Sequence, residues 1–264
     1  DAGEEGLPDT KAMQVLIKSG QGLTRPELAI LLAYAKMDVY QKLIDSEIPD
    51  DPLFLHYLHD YFPPNLQHEY QERIQRHSLR REIIATQSTN TMVNLLGIAF
   101  VHRTVRDTGA THVQVLKITL ATLEVLDVRD FLNQLTSAQK VSAESFYTAL
   151  GTLVSSVEGV VNWLLLTGAD LTDLCTFVDR YRSRVGQFLS SLPDLLPEQE
   201  IERLTARIDC FEKMGFEPEL AQTIGAFEYG PDGFCAVEGT RLGDISLAEA
   251  TNRYYTVGEK LRVG

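Results

Sequence analysis

At 264 residues the chain is long enough to bury a substantial core, as one large domain or two modest ones. Its 24 basic and 37 acidic residues leave a net charge of −13, which argues against general attraction to nucleic acid or anionic lipid. Three scattered cysteines, Cys175, Cys210 and Cys235, form no CxxC pair and fit a reducing compartment better than a disulfide framework. The acidic opening DAGEEGLPDT has no apolar run, and the most apolar stretch, Val160 to Leu166, is short and broken by Asn162. The expectation is a soluble cytoplasmic protein with no membrane and no nucleic-acid partner.

Nearly every segment carries a helical period, so the predicted fold is all-α: a multi-helix domain of roughly ten or more helices, without a parallel sheet. Residues 1–9 read as a flexible tail and 10–264 as the helical domain; a division into two domains would fall near Gly109 or Gly168. Asp9 to Lys18 is a short helix ended by SGQG. The next runs from Thr24 to about Ser46. Thr24 and Glu27 form a capping box with Pro26 in the first turn, and Leu28, Leu31, Leu32, Ala35, Val39 and Leu43 make one apolar stripe. Asp51 and Pro52 start another helix, which Pro63-Pro64 stops, and a further one runs to about Arg76. Leu79 to about Asp107 reads as one long helix closed by Gly109.

Residues 111–120 suit a strand or a helix. The Thr111 and Gln114 capping box, with a pattern longer than a strand, decides for helix. Phe146, Leu150, Leu153, Val157, Val160 and Leu164 define a long helix in which Gly151 and Gly159 imply the close approach of a neighbour. Asp170 and Asp173 open the next, whose stripe ends at Leu192. Another, from Glu198, stops at Gly215. Ser246 and Glu249 cap the last, with an expected buried face of Leu247, Ala250, Tyr254, Val257 and Leu261. Phe234 to Asp244 lacks a clear period and is expected to be loop or short helix.

The chemistry in these residues is sparse. Gly20-Gln21-Gly22 lacks the third glycine and the preceding strand of a dinucleotide loop, so it reads as a helix-ending turn, and no phosphate-loop motif is present. His56 and His59 share a helix but lack supporting ligands for structural zinc, so no metal or catalytic residue is assigned. Arg73, Arg76, Arg80, Arg81, Arg103 and Arg106 form a basic cluster in an acidic chain, accompanied only by Glu82. Their guanidinium groups suit a carboxylate, a phosphate or an acidic partner, or else ion pairs within the fold. Between them Gln87, Asn90 and Asn94 recur at helical spacing. If that face is buried its amides require partners, and the apolar residues around it favour burial. The candidate interface or anion-binding residues are therefore Arg76, Arg80, Arg81, Gln87, Asn90, Asn94 and Arg103.

Two stretches, GLTRPELAILLAYAK from Gly22 to Lys36 and RHSLRREIIATQSTNTMVN from Arg76 to Asn94, resemble the C-terminal part of the large bacterial NAD-dependent glutamate dehydrogenases. The similarity is strongest from Gly22 to Gly109 and looser afterwards, around LPDLLP and YYTVGEKL. In that family this segment follows the catalytic domain, which binds NAD and glutamate. Since those catalytic motifs have no counterpart here, no catalytic or cofactor-binding residue is carried over. The resemblance implies one segment of a longer, homo-oligomeric enzyme that oxidatively deaminates L-glutamate to 2-oxoglutarate and ammonium, with NAD bound elsewhere in the polypeptide. The expected partner is the catalytic domain of the same polypeptide. The segment's implied role is non-catalytic support of assembly or regulation; the alternative is an effector- or partner-binding module built on the arginine cluster.

Overall fold

The computed structural model describes residues 6–261, with side chains as far as Gly258. Every regular element among these residues is a helix, and the chain divides into two compact units between Asp107 and Thr108. Leu7 is buried, so the segment ahead of the first helix is anchored at that side chain.

In the first unit, α1 (Thr10–Ser19) starts where the Asp9 carboxylate accepts the Ala12 N–H and ends on Gly20 in a left-handed conformation. The glycine pair read as the nearest thing to a nucleotide loop thus joins two helices. α2 (Arg25–Ile44) begins at the expected capping box: the Glu27 carboxylate accepts from both the backbone N–H and the hydroxyl of Thr24. These hydrogen bonds hold the Glu27 carboxyl below its usual range. Short 3-10 turns at Ile48–Asp50 and Pro52–Phe54 lead to α3 (Leu55–Tyr61). The helix expected to run to Arg76 is instead two short pieces, α4 (Pro64–Glu69) and α5 (Gln71–Gln75), with a non-helical Tyr70 between them.

The long helix expected from Leu79 to Asp107 is also two: α6 (Arg80–Leu96) and α7 (Phe100–Thr108). Gly97, at φ +82° and ψ 156°, breaks it in a conformation that a residue with a Cβ rarely adopts. Val39, Leu43, Ile48, Phe54, Leu58, Ile84, Ala85 and Met92 are buried where α6 packs against α2 and α3.

The second unit begins with α8 (His112–Val125), started by a complete capping box. The Thr111 hydroxyl accepts the Gln114 N–H, and the Gln114 amide oxygen accepts the Thr111 N–H. α9 (Val128–Ser137) leads to α10 (Ala143–Thr167), a 25-residue helix. The short apolar stretch Val160 to Leu166 lies within α10, which by length and composition alone is long and apolar enough to cross a membrane. In this fold it is a core helix, with Leu153, Val157, Val160, Val161 and Leu164 fully buried.

α11 (Leu174–Ser190) opens as expected at Asp173, whose carboxylate accepts the Thr176 N–H. α12 (Leu192–Leu195), α13 (Glu198–Lys213) and α14 (Pro218–Ala226) follow, and Gly215 at φ +98° makes the turn after α13. A 3-10 turn at Phe227–Tyr229 enters α15 (Gly230–Gly243), so the stretch expected as loop or short helix is a full helix with Pro231 in its first turn. The last helix is α16 (Leu247–Leu261), at whose start the Ser246 hydroxyl accepts the Glu249 N–H as expected.

Glycines decide how α15 meets α10 and α11. A Cβ on Gly159 would lie 2.8 Å from Pro231 Cγ, and one on Gly233 would lie 2.9 Å from Phe188 Cδ1. The close approach expected at Gly159 is therefore present. Around Gly151 there is open space, so that glycine serves no such contact.

Candidate docking surface

The face of α2 that looked most like a core stripe is only half used. Val39 and Leu43 are fully buried, but Leu28, Leu31 and Leu32 remain 44%, 38% and 40% exposed. Those three, with Ala35, lie at i, i+3, i+4 and i+7 on one side of the helix. α1 buries none of its residues, and Ile17 is 76% exposed and Val15 65%. A ten-residue helix is marginal alone in water, because helix stability comes mostly from packing an apolar face. The α1–α2 segment is thus well capped and apolar, and short of something to pack on.

The residues predicted as an anion site separate. Asp50, in the turn after α2, receives both Arg80 and Arg81; Arg80 Nη2 lies 3.2 Å from its carboxylate. Arg81 Nη2 also donates to the carbonyls of Ile44 at 2.8 Å and Ser46 at 3.0 Å. These two guanidinium groups therefore tie the start of α6 to the end of α2. Arg76 is exposed, Arg73 lies over the Tyr70 ring, Arg103 over the Phe100 ring, and Arg106 pairs with Asp107. The amide row is not the buried face of α6. Gln87 and Asn90 are half-buried and Asn94 is exposed, while the neighbouring Ser88, Thr89 and Met92 face inward. The helical spacing was right, but the amide row does not lie on the buried face.

Reasoning from sequence missed a cavity of about 810 Å³ in the second unit, lined from α13, α15 and α16. Asp232 in the first turn of α15 accepts hydrogen bonds from the hydroxyls of Tyr254 at 2.7 Å and Tyr255 at 2.5 Å. Tyr229 donates to the Glu200 carbonyl at 3.1 Å. Burial and then the Asp232 charge push the Tyr255 phenol well above its ordinary range; burial and then Glu200 do the same to Tyr229. These bonds turn α16 from its expected face. Ala250 and Thr251 are buried, whereas Tyr254 and Val257 are exposed; the Leu261 side chain lies outside the described residues. A sequence signal existed in the adjacent Tyr254-Tyr255 pair, but nothing local connects it to Asp232.

The sequence pattern described as glutamate dehydrogenase, C-terminal, matches residues 20–264. An NAD-specific glutamate dehydrogenase of Halomonas elongata is 26% identical over 260 residues, which are 98% of this chain and 16% of that protein. The Pseudomonas aeruginosa protein of the same name is 27% identical over 262 residues, 99% of this chain and 16% of its own length. The one from Mycobacterium tuberculosis is 26% identical over 264 residues, covering 97% of this chain and again 16% of the relative. The chain thus spans about a sixth of the length of these relatives.

Proposed function

We propose that this chain, which belongs to the glutamate dehydrogenase C-terminal family, is a non-catalytic helical domain that packs against the catalytic part of an NAD-dependent glutamate dehydrogenase and supports its assembly. The parent polypeptide would convert L-glutamate, NAD and water to 2-oxoglutarate, ammonium and NADH in the cytoplasm, as a homo-oligomer. NAD would be held by the catalytic domain.

The observation that carries this reading is the exposed apolar side of α1 and α2. Fully burying a leucine is worth about 1.5–3 kcal/mol. Leu28, Leu31 and Leu32 are already more than half covered, so docking gains about half of that from each. The relatives are several times longer than this chain, and a polypeptide of that length supplies the covering surface without a separate partner.

The test substitutes Leu28→Ser, Leu31→Ser and Leu32→Ser together, once in this chain and once in the parent polypeptide. Because the three side chains are already more than half covered, the chain alone should lose about 1 kcal/mol per substitution, so the parent is assayed at a temperature at which the substituted chain alone stays folded. The parent should lose assembly by light scattering together with glutamate-dependent NADH formation. An unchanged parent would remove the docking role, and NADH formation by the chain alone would remove the non-catalytic one.

A further inference from the structure

We propose that the cavity between α13, α15 and α16 is a binding site for a small alkylammonium ion, its charged head against Tyr254, Tyr255 and Asp232 and its stem along Leu242, Ile245 and Val257. This goes beyond the docking role, since the cavity belongs to the second unit and the exposed leucines to the first.

The volume suits a small molecule, for which pockets of about 300–1,000 Å³ are usual. The rings of Tyr254 and Tyr255 stand 80° apart with centroids 5.2 Å from each other, so the two set π surfaces at right angles in one corner. Ring faces attract cations, and ammonium heads fit between such surfaces. Both phenol hydroxyls donate to Asp232, which leaves their oxygens electron-rich and fixes the rings in place. Glu200 lies behind Tyr229 with its charge met by Arg203, so the negative charge at the head position comes from Asp232. The nearby guanidinium groups are engaged, Arg203 with Glu200 at 2.7 Å and Arg253 with Glu249 at 2.5 Å. The charge nearest the phenol hydroxyls of Tyr254 and Tyr255 is the Asp232 carboxylate, which both of them contact directly. Leu242, Ile245 and Val257 give the lining an aliphatic part, which suits an alkyl stem better than a strongly hydrated inorganic cation.

Calorimetric titration of the chain with n-hexylammonium, 1-hexanol and hexanoate tests the site. The expected order is hexylammonium ahead of hexanol by at least about tenfold, with hexanoate not binding. Asp232→Asn should reduce hexylammonium affinity about tenfold or more. Because Asp232 also holds α16, Tyr254→Leu serves as the second variant: it removes one ring from a partly exposed position and should erase the preference for the ammonium over the alcohol. Equal affinity for the alcohol and the ammonium, preference for the anion, or no saturation by hexylammonium up to about ten millimolar would overturn the proposal.

Discussion

Gly151 and Gly159 lie two turns apart on α10, and alanine at each should shift stability in opposite directions. Alanine in a helix interior is favoured over glycine by about 1 kcal/mol. At Gly151 nothing lies within 4 Å of the added Cβ, so that gain should appear in full. At Gly159 the same carbon would sit 2.8 Å from Pro231 Cγ, where an ordinary carbon contact is about 3.5–4.0 Å. The proline ring pucker yields only a little, so α10 and α15 must separate, and overpacking of that kind costs about 1–3 kcal/mol. Net of the helix gain, Gly159→Ala should destabilise by about 0–2 kcal/mol and Gly151→Ala should stabilise by about 1 kcal/mol. The single tryptophan, Trp163, is on α10 with its ring 6.4 Å from Phe234 of α15, so its fluorescence follows this contact during urea unfolding. At about 2 kcal/mol per molar urea, the two midpoints should differ by about 0.5–1.5 M. Coincident midpoints, or a Gly159→Ala midpoint above that of Gly151→Ala, would refute the claim that this crossing depends on a missing side chain.

Two further predictions concern local chemistry. Thr111→Ala removes the hydroxyl that accepts the Gln114 N–H and should cost about 0.5–2 kcal/mol in chemical unfolding, with most of that recovered by Thr111→Ser. Burial, then Asp232, pushes the Cys235 thiol from 9.0 up to about 12. Its folded value is above its unfolded one, so the fold holds this proton more tightly. Stability is therefore untouched below about pH 9 and falls as pH rises from there toward 12. Measured at pH 8, a thiol reagent should label exposed Cys210 faster than half-buried Cys235, whose raised thiol holds less thiolate; equal rates would contradict that raised ionisation.

Helix starts were legible because they are local. Asp9, Thr24, Thr111, Asp173 and Ser246 each sit within three residues of the N–H or carboxylate they engage. Breaks were harder to see. Leu95, Leu96, Phe100, Val101 and Thr104 keep a helical spacing straight across Gly97, and one glycine inside a helix costs only about 1 kcal/mol, so periodicity does not reveal the interruption. α15 was hidden by Gly230, Gly233, Gly239 and Gly243, which weaken a helical signal. In the fold, Gly230 and Gly233 instead permit close contact, with Ser156 and Phe188 respectively. Which face of a helix is covered depends on partners far away in the chain. The Leu28 end of the α2 stripe stays exposed although its period is helical, and the Tyr254 side of α16 was misjudged because Asp232, far earlier in the chain, holds the tyrosine hydroxyls.

Hydrogen exchange of the α1 and α2 backbone, in this chain alone and in the parent polypeptide, tests the docking claim most directly. Burial of the Leu28, Leu31 and Leu32 face should slow exchange of the α1 amides and those of the first half of α2 at least about tenfold in the parent, a stabilisation of about 1.4 kcal/mol. The amides around Val39 and Leu43, already packed on α6, should change little. Identical rates in both settings from Thr10 to Ala35 would show that this face meets nothing in the parent.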